Sequence, residues 1–268
     1  MPRRLLCVGL TWLVALLFLY PTRPLRAAEA APLMLLVFNR PPYYILHDGQ
    51  AAGGFLLTAA LEVFSRAGIP VEVREMPPKR IITTLPGNTA KVCAVGWIKT
   101  PERAASARFS LPLYHDRPVA VAMAANRAKA LPAGSPTTLH ALLEAGLSWG
   151  LREGFSYGRE FDQAFVKHPP KHVNRFSDTP HMVELLARGR LDAILIDPEE
   201  LAWILAGHPD LGPDIRLVPL ADAPAGAQRS IMCSPGVTPE TMARLDAAIR
   251  DFVATERYRE LTVFSVPQ

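Results

Sequence analysis

The chain has 268 residues, 29 Lys and Arg against 25 Asp and Glu, and 49% hydrophobic residues. That balance supplies a core for one large domain or two modest ones and excludes a disordered chain. Arg3, Arg4, Arg23 and Arg26 crowd the first 30 residues against Glu29 alone, leaving 25 basic and 24 acidic residues elsewhere and no Lys/Arg block to serve as a nucleic-acid footprint.

Arg3 and Arg4 precede an apolar run from Leu5 to Tyr20, then Pro21 and the small-residue stretch Ala27-Ala28-Glu29-Ala30. This is the three-part pattern of a secretory signal, with the cut expected near Ala30 and the mature protein in the periplasm. The run falls short of the ~20 residues a membrane helix needs, and an uncleaved anchor is the alternative. Beyond the cut, Cys93 and Cys233 remain, an even number in an oxidising compartment and in no CxxC pair. Two separate buried thiols are the bland reading.

Strands and helices alternate along the rest. Leu33 to Phe38 reads as a buried strand, Phe55 to Ala67 as a helix stopped by Gly68, and Val71 to Glu75 as a strand. A short helix from Pro78 to Leu85, a strand from Val92 to Trp97 and a helix opened by Thr100-Pro101 follow, with Thr100 as N-cap. A strand around Pro118 to Ala122 leads to a loop from Asn126 to Pro136. Then come helix Leu139 to Ala145, strand Leu147 to Leu151, helix Tyr157 to Val166, strand His172 to Phe176 and helix Pro180 to Arg188. Strand Ala193 to Ile196, helix Pro198 to Ala206, strand Ile215 to Val218, an extended Gln228 to Cys233 and one helix from Pro239 to about Tyr258 complete the chain. Such alternation implies an α/β protein with parallel sheets covered on both faces, in two sets divided by the loop near Asn126.

Gly154-Phe155-Ser156-Tyr157-Gly158 matches GxSxG between a predicted strand and helix, the setting of a nucleophile elbow. A triad of Ser156, Asp192 or Asp197, and His208 can be written, which makes a serine hydrolase one rival reading. The gentler reading is an anion-binding helix start at Ser156 and Tyr157, and the blandest a loop that binds nothing. His168 and His172 stand four apart, but Pro169 and Pro170 between them break any helix, so no metal is expected. No dinucleotide fingerprint follows a strand and no cofactor is expected. Tyr43 and Tyr44, after Pro41-Pro42, read as a loop able to offer aromatics to a ligand.

Gly96-Trp97-Ile98-Lys99-Thr100-Pro101-Glu102-Arg103, then Phe109-Ser110-Leu111-Pro112-Leu113-Tyr114, then Gly189-Arg190-Leu191-Asp192-Ala193 with Asp197, together with the early Gly53-Gly54-Phe55, resemble in order the periplasmic solute-binding proteins of polar-amino-acid ABC transporters. The resemblance implies the type II arrangement: two α/β lobes joined by a hinge crossed twice, with ligand in the cleft between them. It assigns 31–117 and 222–268 to the first lobe and 118–221 to the second. Arg103 takes the position of the carboxylate clamp, which suits its planar fork of donors. Ser156 takes the second-lobe hydroxyl position and Asp197 that of the ammonium-pairing acid, with Gly96, Trp97, Tyr43, Tyr157 and Arg80 as further ligand contacts. The resemblance also returns the C-terminal segment to the first lobe, which implies a Cys93–Cys233 disulfide. It implies a monomer with a small-molecule ligand and an ABC permease or a membrane sensor as partner.

The chain departs from that pattern where Val95 and Ile98 replace small hydroxyl or glycine residues, Val37 an aspartate, and Arg40 and Pro78 aromatics. An ordinary amino acid is thereby put in doubt: Arg40, Lys99 and Arg80 either favour an extra acidic group on the ligand or are plain solvated surface charges. The expected function is capture of a small polar, carboxylate-bearing solute without catalysis. The rivals are a dehydratase-like enzyme on the same scaffold, the GxSxG hydrolase, and a ligand-sensing module for a signalling partner.

Overall fold

A computed structural model describes residues 31–131, 137–153 and 157–263. The described residues from Pro32 onward belong to one compact unit built on two five-stranded sheets. In chain order the first sheet takes β1 (Leu33–Val37), β4 (Val71–Glu75), β5 (Val92–Ile98) and β6 (Arg108–His115), and then recruits β12 (Gln228–Cys233). The second sheet takes everything between: β7 (Ala120–Ala124), β8 (Ser148–Arg152), β9 (His172–Phe176), β10 (Ala193–Ile196) and β11 (Ile215–Val218). A small hairpin, β2 (Ile45–His47) with β3 (Gln50–Gly53), turns at Asp48-Gly49, both in the left-handed region. That Asp-Gly pair is a strong hairpin signal, which the sequence reading left unused.

The spatial orders are β4-β1-β5-β12-β6 and β11-β7-β10-β8-β9. Both sheets are mixed, which corrects the expectation of parallel sheets. β1 runs parallel to β4 and β5, whereas β12 runs antiparallel to β5 and β6. In the second sheet β7 runs antiparallel to β10 and β11 while β8 is parallel to β9 and β10. The antiparallel members are the strands on which the chain arrives from the other sheet. For the same reason the division falls before β7 and not at the loop near Asn126, where a short helix, Ala125–Ala128, continues from β7.

The central strands of each sheet are buried on both faces, as their apolar runs require, while the edge strands β4 and β9 are largely exposed. In β10, Ile194 and Ile196 join one cluster with Leu201 and Val183, while Ala193 and Leu195 join another with Trp149 and Leu142. On the first sheet, helices Phe55–Arg66 and Pro239–Val253 cover the face that holds Leu35, Cys93 and Ile231. The predicted single terminal helix breaks at Val253, because Thr255 accepts from the Tyr258 amide at 3.2 Å and caps a separate helix, Glu256–Thr262.

One irregularity in β5 matters for everything above it. Alternation would put Trp97 on the face of Cys93 and Val95, yet Trp97 packs on the opposite face with Leu36, Ile81 and Ala94. Pairing with β12 shifts by one residue between Ser230 and Met232, and Gly96 has φ +76°, so a bulge at Gly96 turns the following side chain over.

Cys93 and Cys233 face each other across the β5–β12 pair, with Cα atoms 4.0 Å apart and the sulfurs bonded. The bond closes a separation of 140 residues. In the chain-entropy treatment a loop of that length contributes up to about 5 kcal/mol. Reduction, or the double variant Cys93→Ser/Cys233→Ser, should lower the thermal midpoint strongly, measured by circular dichroism with and without reductant; an unchanged midpoint would show that the cross-link adds no stability.

Candidate functional site

Four chain segments reach a cleft of about 470 Å³ from the C-terminal ends of strands: Arg40 after β1, Arg103 after β5, Arg152 ending β8 and Asp197 after β10. Ligands of open α/β sheets lie at such ends. The two crossings between the sheets also line the cleft, with Asp116 and Arg117 from the first and Pro224 to Ala227 from the second. These crossings are joined: the Asp116 amide donates to Ala227 O at 2.9 Å, and Gly226 lies so close that an added Cβ would fall 1.7 Å from Asp116 O.

Charge inside the cleft is arranged in pairs. Arg40 Nη2 donates to Asp197 Oδ2 at 2.6 Å, bringing the first-sheet wall onto the second, and each side chain is 14% exposed. Asp197 begins the helix Pro198–Gly207, but its side chain makes no cap hydrogen bond and is committed to Arg40. Arg229 Nε, from β12, donates to Asp116 Oδ1 at 2.6 Å, with 12% and 7% of the side chains exposed. Burial pushes the Asp116 carboxyl up to about 6, although Arg229 pulls the other way. Burial also raises Glu200, which accepts from Thr179. Behind the cleft the fully buried Glu199 accepts from the Tyr114 hydroxyl at 2.6 Å and from the Arg117 amide at 3.2 Å, tying β6 to the second-sheet helix.

Arg103 stands apart from these pairs. It sits on the one-turn helix Pro101–Ala104, whose N-cap Thr100 accepts from the Arg103 amide at 3.2 Å. Its Nη1 donates to Ile98 O at 2.9 Å and its guanidinium lies 5.2 Å from the Trp97 ring centroid. Among the described residues it has no acidic partner.

These cleft walls lie within a recognisable sequence family. Residues 36–263 match the family model of bacterial extracellular solute-binding proteins, family 3. The chain belongs to this family. An ancestral cationic amino acid solute-binding protein is similar in structure, with TM-score 0.66 and 18% identity over 86% of this chain and 93% of that one. The arginine-, lysine-, histidine-binding protein ArtJ from Geobacillus stearothermophilus follows at TM-score 0.60 and 17% identity, covering 86% and 92%. A histidine kinase sensor domain with similarity to periplasmic binding proteins gives TM-score 0.61 and 17% identity over 86% and 94%. At these identities the likeness is one of fold, the type II periplasmic binding protein fold. No curated protein sequence matches the chain.

Within this solute-binding fold the sequence-predicted residues divide. Arg103, Asp197 and Tyr157 line the cleft. Ser156 lies outside the described residues. Tyr43 and Tyr44, read from sequence as a loop offering aromatics, are buried at 0% and 2% exposure in the first-sheet core. The Tyr43 ring carries the Arg40 guanidinium at 4.6 Å and that of Arg229 at 4.9 Å, and Trp97 carries Arg103, so these aromatics hold cations and do not line the cleft themselves. Gly96 serves the bulge, and Arg80 and Lys99 are exposed residues away from the cleft lining. The hydrolase triad does not assemble around Asp197, since Asp197 and His208 flank a ten-residue helix, about 15 Å apart. Asp192 is committed to Arg127 at 2.7 Å and to the Ser148 amide at 2.9 Å.

The sequence reading missed Asp116, Arg117, Arg152, Glu200 and Arg229. Only Arg229 carried a signal: it shares the strand phase of Ile231 and Cys233, and a charge in a core-facing phase requires a partner. For a metal, the described residues offer one group with ligand-like spacing, His140, Glu144 and His168, exposed and outside the cleft lining.

Two outcomes test this geometry. An alanine Cβ at Gly96 would lie 1.7 Å from Tyr44 Oη, in a backbone region strained for L-residues. Gly96→Ala should therefore cost at least about 2 kcal/mol of stability by chemical denaturation. The folded Asp116 value of about 6 lies above the ordinary 3.8, so its contribution to stability is full below that ordinary value and is lost as pH rises through about 6. Asp116→Asn should flatten the fall in thermal midpoint between those two pH values; an identical slope in both proteins would place the titration elsewhere.

Proposed function

We propose that the protein is an exported, monomeric solute-binding protein of the periplasm that takes a small polar, carboxylate-bearing solute, an amino acid or a related acid, into the cleft and presents it to an ABC permease. In this reading the N-terminal signal is removed near Ala30. Residues 31–117 with 222–268 and residues 118–221 act as two lobes that close on the ligand. The protein binds without turnover, which suits a cleft whose aspartates are each held by an arginine.

The observation that carries the reading is Arg103: a cleft-lining residue whose guanidinium is fixed by Ile98 O and Trp97 yet lacks an acidic partner among the described residues. A planar fork of donors held in place matches a carboxylate in two-point contact. Tyr157 faces the same cleft, its hydroxyl accepting from the Arg152 amide at 2.9 Å. Presentation of the ligand-bound form to a membrane sensor is a second reading, favoured by the likeness to a kinase sensor domain.

A thermal-shift screen of amino acids, dicarboxylates and amines identifies the ligand, because binding to the native state raises the midpoint. For the best binder, Arg103→Ala should weaken affinity by about 30-fold or more with the fold retained, the usual result of stripping one partner from a desolvated charge pair. Wild-type affinity in that variant, measured calorimetrically, would rule out the clamp.

A further inference from the structure

Both aspartates that a cationic ligand group would seek in this cleft are already paired with arginines. Asp197 accepts from Arg40 and Asp116 from Arg229, both at 2.6 Å and both largely shielded from water. The two guanidiniums are also stacked on the buried Tyr43, so each is held by its acid and by an aromatic face. Of the remaining lining acids, Glu200 accepts from Thr179, and Glu160 is exposed with Arg159 3.5 Å away. The cation side is different, because Arg103 lines the cleft and has no acidic partner among the described residues.

An ammonium seeking Asp197 or Asp116 would have to replace a guanidinium held over Tyr43 on a desolvated carboxylate. A carboxylate would meet Arg103 without displacing anything. We propose that the cleft selects small organic anions that carry no ammonium group, with Arg40 occupying on Asp197 the place that a ligand cation would otherwise take. The inference rests on the proposed function, since it takes Arg103 as the carboxylate site, and it narrows the ligand from amino acids and related acids to the acids alone. It is a statement of specificity by exclusion: the internal Arg40–Asp197 pair supports the anion and competes with the zwitterion.

Matched acids that differ only by the amine isolate the effect: succinate against aspartate, and glutarate against glutamate, titrated calorimetrically into the exported full-length protein. The expected result is that an amine-free acid binds and does so at least tenfold more tightly than its amino counterpart. In Arg40→Ala, which uncovers Asp197, that preference should shrink at least tenfold. Equal or tighter binding of the amino acid by the wild type overturns the inference, and loss of that binding in Glu200→Gln would identify Glu200 as the ammonium site instead. A folded Arg40→Ala protein with an unchanged preference overturns it as well; if the variant does not fold, the wild-type comparison decides alone. Amino-acid binding that equals or exceeds that of the matched acid and is lost in Arg103→Ala would sink this inference and leave the proposed function standing. Failure of every acid and amino acid to bind would sink both.

Discussion

The structure depends on one strand having to come back. After β6 the chain leaves the first sheet, builds the whole of the second, and returns as β12 in the gap between β5 and β6. Without β12 the partners β5 and β6 would face each other across an empty strand position, with their ladder groups unpaired. The return is fixed at one end by the Cys93–Cys233 bond and at the other by the hydrogen bond from the Asp116 amide to Ala227 O. The two crossings therefore run side by side, and Gly226 is the residue small enough to let them do so.

That strand also brings chemistry. Arg229 lies on β12 beside the β5 bulge, donates to Gly96 O at 3.2 Å through Nη1 and to Asp116 through Nε. Its burial is tolerable because both kinds of donor find acceptors and its flat face rests on Tyr43. The bulge has a parallel effect on the other side of β5. By turning Trp97 over, it places an indole under Arg103, at the point where the chain leaves the strand for a short capped helix. Two aromatics thus fix three cleft arginines, and rigid cations lose less freedom when an anion arrives.

The second sheet contributes the opposite wall through the strand ends of β8 and β10 and the start of the helix after Asp197. Membership of the extracellular solute-binding family and the type II fold account for two sheets with a cleft between them. They do not account for the Arg40–Asp197 bridge across it. In a medium of low polarity such a pair holds both charges only as long as each keeps the other, so the cleft is defined by its internal ion pairs as much as by its shape.

Local signals in the sequence determined most of the elements: apolar runs long enough for strands, Thr100 and Gly68 as helix boundaries, and Pro-initiated helices at Pro78, Pro198 and Pro239. That Arg103 and Asp197 line the cleft was legible too, through motifs that occur in the family's order and, for Asp197, through its place at the end of an apolar strand. Strand direction was not legible, since it depends on which sheet a strand returns to and not on its own residues. Nor was the fate of Tyr43 and Trp97, whose ring faces suit a ligand and a neighbouring guanidinium equally well. Pairings such as Arg40 with Asp197, 157 residues apart, leave no local trace. Only the tertiary structure decided them, because the energy of a buried charge is set by what surrounds it in space and not by its neighbours along the chain.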